Sequence, residues 1–96
     1  MPLKSLHTTI TTLGEDTLVP DWNGRLGAFL ASGDFDGATV KLQHKIGAEW
    51  VDVGIDTTLS SSGGGQFITP QSNLRVSVSG GGASLSVTII VKPLVI

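Results

Sequence analysis

Short runs of period-two alternation, each cut off by glycine, serine or proline, constrain this 96-residue chain more than any other feature. Leu74, Val76 and Val78 alternate with Arg75 and Ser77, and the run stops at "SGGGAS". Leu85, Val87, Ile89 and Val91 repeat the pattern, as do Val40 and Leu42 against Lys41 and Gln43. Successive side chains of a strand point to opposite faces, so each run gives one core-facing row and one outer row. An amphipathic helix needs apolar residues at i, i+3, i+4 and i+7 with caps, and no window supplies them.

The remaining segments fit the same grammar. Ser5 to Leu13 reads as extended, with Leu6 and Ile10 on one face. Thr17 to Val19 forms a short strand before Pro20, and Leu26 to Ser32 is apolar on both faces. Ala38 to Lys45 is followed by the turn "KIGAE" centred on Gly47. Glu49 to Leu59 returns with Val51, Val53, Ile55 and Leu59 on one face. "SSSGGG" is expected as a flexible loop, and Gln66 to Thr69 as a strand ended by Pro70. Seven or eight short strands predict an all-β, single-domain antiparallel β-sandwich of jelly-roll or Ig-like type. Residues 13–96 are expected to form the sandwich, with residues 1–12 as an extended N-terminal arm or an edge strand. Parity puts Val40, Leu42, Val51, Val53, Ile55, Leu74, Val76, Val78, Leu85, Val87 and Ile89 in the core.

Composition bears on partners. Charged residues make up 15% of the chain, against about 25% in an average domain. Thirteen glycines, ten serines and ten threonines take their place. Such a neutral, hydroxyl-rich surface suits a β protein packed against neighbours. Lys4, Arg25, Lys41, Lys45, Arg75 and Lys92 are scattered, so no basic stripe is available to neutralise phosphates, and nucleic acid is excluded as a partner. "LSVTIIVKPLVI" is too short and interrupted to span a bilayer, and no membrane partner is expected. The start, "MPLKSLHTTITTL", has no signal-type apolar stretch. With no cysteine in the chain, synthesis in a reducing cytoplasm is expected.

The stretch "GDFDG" places Asp34 and Asp36 one residue apart. An EF-hand loop starting at Asp34 would need an oxygen ligand, glycine and glutamate where Ala38, Thr39 and Lys45 stand. The carboxylates are therefore read as turn caps, with Gly37 supplying a positive φ. His7 and His44 have no acidic neighbour in sequence, and no nucleophile elbow, zinc motif or phosphate cradle occurs. No enzyme activity, metal or cofactor is expected.

Apolar residues off the core parity point to a different kind of work. Trp50 opposes Val51 and Val53, Ile90 opposes Ile89 and Val91, and Phe29 opposes Leu30. Leu94, Val95 and Ile96 end the chain where tails are usually polar. These residues are candidate interface contacts, as are Pro2, Leu3, Leu6 and Ile10 of the N-terminal run, which could add to a neighbour's sheet. A second reading takes Trp22 and Trp50 as exposed platforms for sugar rings, with Asp21, Asn23 and Asp52 accepting hydroxyl hydrogen bonds.

"GATVKLQ" (Gly37 to Gln43), "WVDVG" (Trp50 to Gly54) and "LRVSVSG" (Leu74 to Gly80), joined by glycine-rich loops, resemble a pattern of small tailed-phage virion proteins. The resemblance covers roughly residues 26–91, and "KIGAE" replaces that pattern's usual glycine- and aspartate-rich hairpin turn. It implies a β-sandwich of the capsid decoration (cement) kind, assembled as a homotrimer on the capsid surface against the major capsid protein. It implies no catalytic residue. A fibre module that binds carbohydrate or host surface, and a head–tail connector or tail component, are the other virion roles considered.

Overall fold

The structure, a computed structural model, describes residues 6–22, 24 and 26–94. Among them run nine strands: β1 (Leu6–Ile10), β2 (Gly14–Trp22), β3 (Leu26–Asp34), β4 (Thr39–Ile46), β5 (Glu49–Asp52), β6 (Thr58–Leu59), β7 (Gly63–Ile68), β8 (Ser72–Ser79) and β9 (Ser86–Pro93). One sheet has the order β1-β9-β3-β7; the other has β2-β8-β4-β5, with the two-residue β6 also on β4. All pairings are antiparallel. They nest: β4 with β5, β3 with β7, β2 with β8 and β1 with β9. A long hairpin rolled up so that successive pairs alternate between sheets is a jelly roll, and of the two expected sandwich types this is the one formed. β1 is thus an edge strand of its own sandwich, joined to β9 from Leu6↔Val91 to Ile10↔Val87.

The alternation seen in the sequence is what the sheets bury. Val40, Leu42, Leu74, Val76 and Val78 line one inner face; Phe29, Ala31, Val87, Ile89 and Val91 line the other. Trp22 and Phe67 join the same cluster, with ring centroids 5.3 Å apart. The radius of gyration, 12.5 Å, is what a compact chain of this length has, about 12 to 13 Å.

Three expectations change. Val51 and Ile55 are not core residues: both are exposed. Val51 sits opposite His44, toward the projecting end of the β4–β5 hairpin, where inner-face burial fades from Leu42 to Ile46. Strand parity is then lost, because a 3-10 turn at Ile55–Thr57 follows Gly54. Thr57 takes the buried place, its Oγ1 donating to the Gly54 carbonyl at 3.1 Å. Val53 stays half-buried against the core, held by its N–H to the Leu42 carbonyl at 2.9 Å.

"SSSGGG" is only half a loop, since Gly63–Ile68 is strand β7. A Cβ at Gly65 would strike the backbone carbonyl of Asp56, so glycine lets the 3-10 turn lie directly on the strand. β2 runs through Pro20 to Trp22 as an edge strand with two register shifts, the place where a sheet tolerates proline.

Candidate interaction surfaces

The "GDFDG" aspartates belong to one end of the roll. Asp34 Oδ1 accepts the Asp36 N–H at 3.0 Å, and Asp36, at φ 45°, accepts the Ser84 N–H through Oδ2 at 2.9 Å. Gly37 follows at φ 82°, and the Ala38 N–H closes the turn on the Phe35 carbonyl at 2.7 Å. The Asp34 carboxylate therefore caps the β3–β4 turn, and the Asp36 carboxylate ties that turn to the β8–β9 loop. Among the described residues, no three of His, Cys, Asp or Glu gather as metal ligands would.

The outer faces of the two sheets differ sharply. In the β1-β9-β3-β7 sheet, residues directly opposite each other share a face. Leu26 pairs with Ile68, and Leu30 with Ile90, while Ala28 stands between the two leucines along β3. Ile68 is 74% exposed and Leu30 is 42% exposed. Ile55, 88% exposed, lines a small hollow together with Ile68. An aliphatic row thus runs diagonally from Ile68 through Leu26, Ala28 and Leu30 to Ile90, with Ile55 beyond its end on the 3-10 turn; Gln66 and Lys92 flank Ala28 on the same face. Gly64 is what lets Leu30 lie down on β7, since a Cβ there would overlap the leucine side chain. Beside it opens a shallow depression of about 440 Å³, lined by Leu30 and Ile90 together with Ser32, Ser62 and Thr88 among others.

The outer face of the other sheet is knitted into a polar network. On three neighbouring strands, Asp52, Gln43 and Arg75 stand in register. Gln43 Nε2 donates to Asp52 Oδ1 at 2.7 Å, and its Oε1 accepts Arg75 Nε at 2.8 Å. Lys41 reaches Asp52 at 3.6 Å. Trp50, half-buried, has the Arg75 guanidinium 4.5 Å and the Lys45 ammonium 5.7 Å from its ring centroid.

The sequence candidates divide accordingly. Trp50 and Ile90 lie on outer faces, as their parity predicts. Phe29 does not: it is fully buried, and Leu30 is the residue of that pair that faces out. Gly27, Phe29 and Ala31 share the inner parity of β3, and the missing Cβ at Gly27 leaves room for the Trp22 and Phe67 rings. Ile10 is also buried, opposite Val87 inside the sandwich, so it is no surface contact. Leu6 is placed by its backbone pairing alone. Leu94 is half-buried and its N–H bonds the Leu26 carbonyl at 2.9 Å, so the chain is tied down at this point. Pro2, Leu3, Val95 and Ile96 lie outside the described residues. For the sugar-platform reading, Trp22 is 1% exposed and packs on Phe67, which removes it as a surface ring; Asn23 lies outside the described residues. Leu26, Leu30, Ile55 and Ile68 are surface residues that sequence reasoning missed. The signal for Leu30 was present, as the second apolar parity of β3, but was assigned to the wrong member.

Comparison with family models, with curated proteins and with solved structures finds no match.

Proposed function

We propose that this chain is a structural protein of a phage virion. It acts as a capsid decoration protein that assembles as a homotrimer over the joints between major capsid protein subunits. The observation that carries this reading is the aliphatic row Ile68–Leu26–Ala28–Leu30–Ile90 on a sheet face that the sandwich itself leaves open, with exposed Ile55 near its end. An exposed apolar patch rimmed by polar groups marks a surface that becomes dry in an assembly. The resemblance of Gly37 to Gln43, Trp50 to Gly54 and Leu74 to Gly80 to small tailed-phage virion proteins supplies the class of assembly. Each bound copy would add to shell stability by mass action, because it binds the assembled state and not the dispersed subunits. A jelly roll serves viral shells and lectins alike, so the surface selects the reading more than the fold does.

The test is binding to phage heads that lack the protein. Wild-type chain is expected to saturate them at a fixed ratio to the major capsid protein and to raise their disruption temperature. A Leu30→Gln/Ile68→Glu variant, folded by circular dichroism, is expected to do neither. Equal binding by the variant, or absence of the wild-type chain from heads, sinks the reading.

A further inference from the structure

We draw no further inference here: the strongest candidate, the shallow depression beside Leu30 and Ile90 on the outer face of the β1-β9-β3-β7 sheet, belongs to the surface already described, and nothing in the structure shows what covers it.

Discussion

The two sheets present the same kind of face to each other and opposite kinds to the solvent. Inside, both contribute rows of valine, leucine, isoleucine and alanine at alternate positions. Outside, the β2-β8-β4-β5 sheet links Arg75, Gln43, Asp52 and Lys41 across three strands, with Trp50 under two cations. The β1-β9-β3-β7 sheet instead shows Leu26, Ala28, Leu30, Ile68 and Ile90. Inward positions are dictated by folding, because a half-buried strand must bury one row. Outward positions are not, so they are where a sandwich records what it meets. On this comparison one outer face is tied to its own chain by side-chain contacts, and the other, which among the described residues makes no such network, is the face proposed above for assembly.

That division is open to attack at the level of single residues. The largest expected effect is inside: Phe29→Ala should cost about 3–5 kcal/mol in urea denaturation of the isolated chain. Ile68→Thr, on the outer aliphatic row, should cost no more than about 0.5 kcal/mol in the same assay. A large penalty at Ile68 would mean that the row serves the fold and not a partner. Next comes the 3-10 turn against β7. Gly65→Ala forces a side chain onto the Asp56 carbonyl and should cost about 1–3 kcal/mol, read from the thermal midpoint. Smaller still is the knitted face. Trp50→Ala removes two cation–ring contacts and should cost about 1–2 kcal/mol, with part of the loss recovered in Trp50→Phe. Lys41→Ala should change stability by less than about 0.5 kcal/mol, since its pair with Asp52 is solvent-exposed. If Trp50→Ala were as silent as Lys41→Ala, the two outer faces would no longer differ in what they do for the chain.

The sequence made the inner rows readable because period-two alternation is a local signal. Val40 and Leu42, Leu74 to Val78 and Leu85 to Ile89 needed only their own neighbours to be placed. The "GDFDG" turn was readable for the same reason: capping carboxylates and a positive-φ glycine act within a few residues. Phe29 was not, because β3 is apolar on both faces and parity alone cannot say which row is covered. That choice depends on β7, whose Gly64 makes space for Leu30 on the outer side and whose Phe67 packs inside. Ile55 and Val51 were lost where strand geometry ends. A 3-10 turn resets the phase after Gly54, and a projecting hairpin leaves its inner row uncovered. Trp22 was misplaced because its burial is set by Phe67 and Gly27, which only the closed roll brings to it. The outer aliphatic row itself joins residues from β3, β7 and β9, so it exists only in the folded molecule.

Sedimentation velocity of the wild-type chain beside Leu30→Gln/Ile68→Glu, from nanomolar to high micromolar concentration, puts the central claim to its most direct test. The account predicts that the wild type moves reversibly from monomer to a defined oligomer as concentration rises, while the variant stays monomeric with an unchanged unfolding curve. A wild type that sediments as a monomer throughout, indistinguishable from the variant, would contradict it.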